Sequence, residues 1–587
     1  MGEAEAVIRQ LWRRTLLAAA LAAAPFCAVP LEPACASVRG DDSSAAVLGA
    51  SQPGNYLAGL IASADRDAGA AAAFYREALR NDPRNPDLIE RAFSATLASG
   101  DVQGASGLAE RVLAHDPSNN LARLTLSASL LERGDFAAAR AQLLSRDSSS
   151  RDVTAMLIAA WCYAGQGDLR HALETLDRVR DPAVVPFRDF HAGLIADQLG
   201  NPAEARRRLK SAFDADKNAL RIADAYARFL ATHGDRDGAI AVYQGFSAVA
   251  PDNPIVGRAL SDLRSGGLPP ASVSSPKDGA AEVLYGLGAT GIRQGDELPA
   301  LVYLRLSLYL RPNDDLTSVT LANLFEQMKK DELAISAYQS VPATSPLHED
   351  AEIQAALVLD GLSQSDEAIK RLEAIVAANP HDVEALSALA GVQRSAKQYQ
   401  EAASTYSKAI SAIGIPSKDN WTLFYFRGIC FERAKEWPKA EDDFKKALEL
   451  FPDQPLVLNY LGYSWVDQGV NLDEAFKMLR RAVELRPNDG YIVDSLGWAH
   501  YKLGQYAEAT QTLERAVDLK PEDPVLNDHL GDAYWKVNRR IEAKFQWNHA
   551  RDMHPEPEDL PEILKKIEDG LPDTNLGRDS AAKASGG

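Results

Sequence analysis

The sequence predicts an all-α fold in which short antiparallel helix pairs stack on one another. Two stretches 34 residues apart share one skeleton, "SLGWAHYKLGQYAEA" from Ser495 and "HLGDAYWKVNRRIEA" from His529. In both, Leu-Gly precedes an aromatic residue, and Glu-Ala follows later. The same spacing recurs over most of the 587 residues. A fixed period of this length indicates a repeat architecture, in which each unit buries its apolar face only against its neighbours.

The first residues carry an export pattern rather than a fold. Arg13 and Arg14 precede "TLLAAALAAAPFCAV", an apolar run that is short for a membrane span. A small-x-small triplet, "ACA", then ends directly before Ser37. We interpret residues 1–36 as a secretory signal peptide and residues 37–51 as an N-terminal linker. This interpretation predicts a periplasmic protein and leaves open whether export uses the Sec or the twin-arginine route.

The four cysteines bear on lipid anchoring and on disulfides. Cys27 and Cys35 lie in the predicted signal peptide, and neither follows the Leu-small-small pattern of bacterial lipoproteins. This departure favours a freely periplasmic protein, with outer-membrane anchoring as the alternative. Cys162 and Cys430 lie inside helical patterns 268 positions apart, which favours two buried thiols over a disulfide.

Residues 52–263 are predicted to form a first array of about six repeats and a closing helix. One position of the first helix, which usually holds a small residue, recurs every 33 or 34 residues: Gly59, Phe93, Ser127, Ala160, Gly193, Ala227. The alanine site of the second helix recurs in step: Ala71, Ala105, Ala139, Ala172, Ala205, Ala239. Two helices approach closely where both present small residues, so each pair of sites predicts one helix hairpin.

The string "RSGGLPPASVSSPKDGA" at residues 264–280 is rich in Gly, Pro and Ser and is predicted to be a linker. Residues 281–555 then carry about eight more repeats. Their first-helix sites are Gly288, Ala322, Ala356, Ala390, Gly428, Gly462, Gly497 and Gly531, and their second-helix sites are Ala300, Ala334, Ala368, Ala402, Ala440, Ala475, Ala509 and Ala543. An insertion around "AIGIPSKDN" and one extra residue near Val470 interrupt the period. Residues 556–570 are predicted to form a capping helix and residues 571–587 a disordered tail.

These residues resemble the tetratricopeptide repeat (TPR) family, whose 34-residue units carry a small residue in helix A, an alanine in helix B and a final proline. The resemblance covers residues 52–555 and implies a TPR α-solenoid, a right-handed superhelix of about fourteen repeats in two blocks. The C-terminal stretch also resembles large secreted TPR proteins of Gram-negative bacteria. Some of these are adaptors that bind and activate carboxyl-terminal processing proteases.

In TPR arrays, helix A residues that packing does not require line a concave surface that binds other polypeptides. The candidates here are Tyr425, Asn459, Tyr463, Asp494, Trp498, Tyr501, Asp528, Asp532 and Trp535. Trp498 and Trp535 are not needed by the repeat, so we expect them to act as interface anchors. The alternative is that both pack between neighbouring helices.

The predicted groove is acidic. TPR co-chaperones hold a C-terminal carboxylate with Lys, Arg and Asn, whereas comparable sites here carry Asn459, Asp494 and Asp528. A carboxylate would be repelled, so we expect a basic or uncharged peptide, or a folded partner with a cationic patch. The net charge of −19 and the absence of a basic stripe argue against nucleic acid as a partner.

The sequence offers no catalytic, cofactor-binding or metal-binding residues. No P-loop, H-E-x-x-H or G-x-S-x-G motif occurs. "GLGATG" at residues 286–291 fits a dinucleotide-binding string, but it falls in phase inside a predicted first helix without surrounding strands. We therefore predict a non-enzymatic periplasmic scaffold or adaptor of the cell envelope without a cofactor, which the resemblance links to a processing protease. Two alternatives remain: an envelope enzyme such as a hydrolase, with its site in the N-terminal half, and a cytosolic TPR scaffold.

Overall fold

The computed structural model describes residues 51–144 and 152–572. Within these ranges it contains thirty α-helices and one short 3₁₀ helix and no strand, as the repeat pattern predicts. The predicted signal peptide, nearly all of the N-terminal linker and residues 573–587 of the predicted tail lie outside the described residues.

The first six helix pairs are α1 (Gln52–Ala64) with α2 (Ala68–Asn81), α3 (Pro86–Ser99) with α4 (Val102–His115), α5 (Asn120–Glu132) with α6 (Phe136–Leu143), α7 (Val153–Gly165) with α8 (Leu169–Leu176), α9 (Val185–Gln198) with α10 (Pro202–Ala215), and α11 (Leu220–Thr232) with α12 (Arg236–Ser247). A single helix, α13 (Pro254–Arg264), follows them. It occupies the place predicted for a closing helix.

Next come the pairs α14 (Pro276–Gln294) with α15 (Glu297–Leu310) and α16 (Asp315–Gln327) with α17 (Asp331–Gln339), then the consecutive helices α18 (His348–Gly361) and α19 (Ser365–Ala378), and then the pair α20 (Val383–Ser395) with α21 (Tyr399–Ala412). The last four are α22 (Trp421–Arg433) with α23 (Trp437–Leu450), α24 (Pro455–Gln468) with α25 (Leu472–Leu485), α26 (Gly490–Lys502) with α27 (Tyr506–Leu519), and α28 (Pro524–Lys536) with α29 (Arg540–Asp552). The chain described ends with α30 (Leu560–Asp569).

The alanine of each second helix lies at the closest approach of its hairpin. All fourteen alanines predicted for this site are at most 1% exposed. Two first helices leave no room for a larger side chain at this site: a Cβ on Gly497 would lie 2.7 Å from Leu513 Cγ, and one on Gly531 would lie 2.5 Å from Trp547 Cδ1. These helix pairs therefore depend on glycine here, whereas α3 carries Phe93 at the same position.

The turns inside the hairpins explain the recurring Gly-Asp pairs. Gly234 ends the turn after α11 with a φ of 86°, a left-handed conformation that only glycine adopts without strain. The next residue, Asp235, caps α12 by accepting a hydrogen bond from the backbone N–H of Gly238 at 3.0 Å. One residue thus reverses the chain, and the other satisfies the new helix terminus.

The two interruptions of the period fall in connections between helices. The residues of "AIGIPSKDN" beyond Ala412 lie after α21 and include the 3₁₀ helix Lys418–Asn420. The extra residue near Val470 lies between α24 and α25, where Asn471 adopts a φ of 49°. Both insertions leave the helix pairs intact, because added residues in a turn do not change which faces pack.

The described chain divides into two compact units, an N-terminal unit ending at Leu362 and a C-terminal unit beginning at Ser363. This division differs from the two blocks that meet at residues 264–280 in the sequence. The hairpin of α14 and α15 belongs to the second block by its period, but its apolar residues share one core with α3–α12. The domain boundaries drawn from the sequence stay a prediction.

The hairpin of α14 and α15 lies against the first helices of the N-terminal unit. Helix α14 packs on α7 and α9, and α15 packs on α3 and α5. Residues 276–280 of the predicted linker are the first turns of α14. They are helical because Ser275 caps this helix, accepting a hydrogen bond from the N–H of Asp278 at 3.1 Å.

Candidate protein-binding surface

The first helices of the C-terminal unit form a continuous layer. Helix α24 packs directly on α26, and α26 packs on α28. The candidate residues recur at fixed offsets from the small residue of each first helix, so they share one side of this layer. The sequence therefore places them on a common surface, and their contacts decide which of them a partner can reach.

Tyr425 does not reach this surface. Its side chain is only 6% exposed and lies between Trp421, Phe444 and Tyr460. Burial raises the pKa of Tyr425 to about 12. The prediction that Tyr425 contacts a partner is thus corrected by the structure, since the aromatic residues around it form a local core.

Asn459 and Tyr463 lie one helical turn apart on α24, and both are half-buried. The Oδ1 atom of Asn459 is buried and has no hydrogen-bond partner among the described residues. Burial and the nearby carboxylates of Asp494 and Asp467 raise the pKa of Tyr463 to about 12, so its hydroxyl stays protonated and able to donate. The pair combines an apolar ring with an unsatisfied acceptor.

Trp498 is half-buried on α26 and stacks on two rings. Its centroid lies 4.7 Å from that of Tyr501, at an interplanar angle of 8°, and 4.0 Å from that of His529, at 16°. The imidazole Nδ1 of His529 lies 3.0 Å from each carboxylate oxygen of Asp494, which is 5% exposed. Packing between neighbouring helices, the alternative given for Trp498, therefore buries part of its side chain.

His529 is the residue that the sequence analysis missed at this stack. It belongs to the next first helix, α28, and immediately precedes Leu530 in the repeat skeleton. The available signal was its position one turn before the aspartate at 532, on the face that meets α26. A histidine there joins Trp498 to Asp494 across two helices.

The remaining candidates, Asp528, Asp532 and Trp535, are covered by the end of the chain. Lys566 on α30 places its Nζ 2.7 Å from Asp528 Oδ2 and 3.0 Å from Asp532 Oδ2. The indole of Trp535 donates a hydrogen bond to the carbonyl of Leu571 at 3.0 Å. These aspartates thus pair with a lysine of the same chain, which sequence reasoning did not single out.

Leu571 belongs to the stretch for which the sequence predicts a disordered tail. In the structure Leu571 and Pro572 lie against α28 instead, because Trp535 and Lys536 donate hydrogen bonds to their carbonyls at 3.0 and 3.3 Å. The accessible part of the candidate surface is therefore smaller than predicted. We call the half-buried residues Asn459, Tyr463, Trp498 and Tyr501 the aromatic surface.

The corresponding face of the N-terminal unit is occupied by α14 and α15. Lys277 Nζ lies 3.0 Å from Glu132 Oε2, and Arg221 Nε donates to Glu282 Oε1 at 2.8 Å. Glu282 is only 4% exposed. Because its first helices are covered by a hairpin of the same chain, this face is less available to a partner than the aromatic surface.

Residues 51–144 and 152–572 contain no group of three or more His, Cys, Asp or Glu side chains arranged to hold a metal ion. Across the same residues, no helix combines the length and hydrophobicity needed to cross a bilayer.

Models of the tetratricopeptide repeat match residues 96–152, 129–183 and 353–417, and a TPR repeat model matches residues 497–538. Within the described residues, these ranges overlap helices α3–α8, α18–α21 and α26–α28. The chain belongs to the tetratricopeptide repeat family.

A TPR repeat-containing protein of Pseudomonas aeruginosa is 27% identical over 204 residues, which is 33% of this chain and 32% of that protein. The match thus spans about a third of this relative. Among solved structures, a chain of the APC/C hetero-tetramer Cut9-Hcn1 has a TM-score of 0.36 at 17% identity, covering 82% of this TPR chain and 96% of that chain. Yeast Tom70 has a TM-score of 0.31 at 14% identity, covering 88% and 95%. These scores are low, so the assignment depends on the repeats themselves.

Proposed function

We propose that this TPR protein is a non-enzymatic scaffold of the cell envelope that binds a partner polypeptide on the aromatic surface. TPR arrays serve as protein-interaction scaffolds. The observation that carries the proposal is the pair of half-exposed rings of Tyr463 and Trp498 beside the carboxylates of Asp467 and Asp494. Aromatic side chains surrounded by polar groups are typical anchors of protein interfaces.

The charges around this surface favour a basic or neutral partner segment. Asp467 and Asp494 lie close enough to Tyr463 to raise the pKa of its phenol. Asp494 already pairs with His529, and Asp467 lies 3.2 Å from Lys502 Nζ at the edge. A bound carboxylate would be repelled by these aspartates, whereas a lysine or arginine side chain of a partner would be attracted to them.

Recovery of partners from cell-envelope extract tests the proposal. We expect Tyr463→Ala combined with Trp498→Ala to remove the partner that the unchanged protein retains. The matched control is Phe545→Ala, because Phe545 is also aromatic and 59% exposed but lies on the second helix α29. The same partner recovery from all three proteins would exclude the aromatic surface as the binding site.

The envelope location and the protease are the finer parts of the proposal. The signal peptide pattern of residues 1–36 supports export, and N-terminal sequencing of the mature protein should begin at Ser37. An uncleaved N-terminus would favour the cytosolic scaffold. The likeness to secreted TPR adaptors supports a carboxyl-terminal processing protease as the partner, and recovery of no protease by the unchanged protein would count against that role.

A further inference from the structure

The C-terminal helix α30 packs on α29 of the last repeat and reaches the first helix α28 through side-chain contacts. We call residues 560–572 the C-terminal segment; it comprises α30 and the three residues after it. Only Ile563 and Lys566 of α30 are buried. Ile563 joins the apolar cluster of the last repeat, and Lys566 reaches the two aspartates on α28. Ile567 and Leu571 are partly buried against the same cluster. A small apolar face and one lysine therefore hold this segment.

The residues after α30 are held through their backbone. Trp535 Nε1 donates to the carbonyl of Leu571 at 3.0 Å, and Lys536 Nζ donates to that of Pro572 at 3.3 Å. Gly570 lies directly on the Trp535 ring with a φ of 75°, so a side chain here would meet both steric and backbone strain. Contacts to backbone carbonyls do not depend on the side chains of the bound segment.

The receptor side keeps binding capacity that the C-terminal segment does not use. Asp528 accepts Lys566 through Oδ2, but its buried Oδ1 has no hydrogen-bond partner among the described residues. Asp532 is better satisfied, since Trp547 Nε1 donates to its Oδ1 at 2.9 Å. A bound segment with one more donor would make a bond that the present occupant does not make.

We propose that Asp528, Asp532 and Trp535 form a binding site for a lysine-bearing helical segment that continues into an extended stretch, and that the C-terminal segment is its resident ligand. A partner segment of the same chemistry displaces the resident one. The proposal rests on the proposed function, because it extends the aromatic surface by the site that the resident ligand covers.

Displacement is physically accessible because the C-terminal segment is short. Helix α30 has ten residues, a length at which an isolated helix is marginal in water. Residues 556–559, which lead into it, are exposed. Tethering gives the resident segment an effective concentration of about a millimolar, so a free competitor binds weakly until the resident contacts are loosened.

A labelled synthetic peptide with the sequence of residues 556–572 is the probe, titrated with the full chain by fluorescence anisotropy. We expect weak binding to the unchanged protein. Lys566→Ala in the chain should lower the Kd for the peptide by about tenfold or more, because it weakens the tethered competitor. Adding Asp528→Asn and Asp532→Asn should abolish this binding, and a peptide with alanine at the Lys566 position should not bind.

Gly570→Ala provides a second variant that leaves all charged groups in place. Its methyl group must push away from Trp535, so it should also raise peptide binding. Circular dichroism melting verifies that each variant remains folded. No gain in peptide binding by a folded Gly570→Ala chain, or equal binding of the lysine and alanine peptides, would overturn the proposal.

The two proposals fail separately. If the peptide binds as expected but partner recovery does not depend on Tyr463 and Trp498, the resident-ligand proposal is supported and the proposed function is excluded. Partner recovery that depends on Tyr463 and Trp498, together with no peptide binding by any variant, would overturn the resident ligand alone.

Discussion

The imidazole of His529 lies parallel to the indole of Trp498, with their centroids 4.0 Å apart, while its Nδ1 faces the carboxylate of Asp494 at 3.0 Å. A carboxylate only accepts hydrogen bonds, so Nδ1–H is the donor. Two neighbouring first helices are thereby joined by a polar contact and an aromatic stack. The stack also fixes the orientation of Trp498 on the aromatic surface.

This pair makes stability depend on pH. Burial lowers the pKa of His529, but the carboxylates of Asp494, Asp528 and Asp532 raise it further, so the net pKa lies above its ordinary value. A raised native pKa stabilises the protonated native state fully below about pH 6.5, and this contribution is lost as pH rises through the native pKa. The Tm difference between the unchanged protein and Asp494→Asn should therefore be larger at about pH 6 than at about pH 9. A Tm difference that is constant with pH would contradict this expectation.

Two glycines of the C-terminal unit should respond oppositely to alanine. Gly497→Ala places a methyl group against Leu513 and should destabilise the fold by about 1–3 kcal/mol through overpacking. Gly391 also lies in a first helix, but its Cβ would meet only Tyr406 Oη, at 3.9 Å. Gly391→Ala should stabilise by about 0.5–1 kcal/mol, because alanine favours the helix. Urea denaturation followed by circular dichroism measures both, and equal shifts would contradict the close approach at Gly497.

Cys162 and Cys430 should be unreactive in the native protein. Both are free thiols and fully buried, and burial raises the pKa of each to about 12. A thiol reagent at about pH 8 should modify neither until guanidinium unfolds the chain, because the thiolate is the reactive species. Ile541→Cys, at a position that is 85% exposed, is the control that should react at once. Rapid modification of the unchanged native protein would contradict the burial.

Cleavage of the connection between α13 and α14 should not separate the chain. Insertion of a specific protease site after Gly267, in the exposed stretch 264–268, allows a single cut. The two pieces should elute together in size-exclusion chromatography, since α14 and α15 share a core with the first helices of the N-terminal unit. Glu282→Ala should weaken the association, because it leaves Arg221 without its buried carboxylate partner. Separate elution of the cut pieces of the unchanged sequence would exclude this interface.

The repeat period of the sequence was sufficient to predict the helix pairs. Each predicted alanine, such as Ala509, is buried because the second helix packs closely on the first helix of its own repeat, and that contact is local. The insertions near Ile415 and Val470 were visible for the same reason, since they interrupt the count without changing a helix. Residues that contact one another within a repeat are also close together in the sequence.

The repeat period did not show which parts of the candidate surface are covered by other segments of the chain. Lys566 meets Asp528 and Asp532 from 38 and 34 positions away, and Glu282 meets Arg221 from 61 positions away. Tyr425 occupies a groove position by register, but the aromatic residues beside it turn that place into core. Such contacts depend on which elements fold back on the array, and the repeat pattern carries no information about that.

The helical repeats, the small residues at their helix contacts and the family could be predicted from the sequence. Which binding faces stay open depends on tertiary contacts: a hairpin covers the first helices of the N-terminal unit, and the C-terminal segment covers the last repeat. The physical reason is range, because a hairpin is encoded by neighbours along the chain, whereas a covered surface depends on charge and shape matching between distant segments.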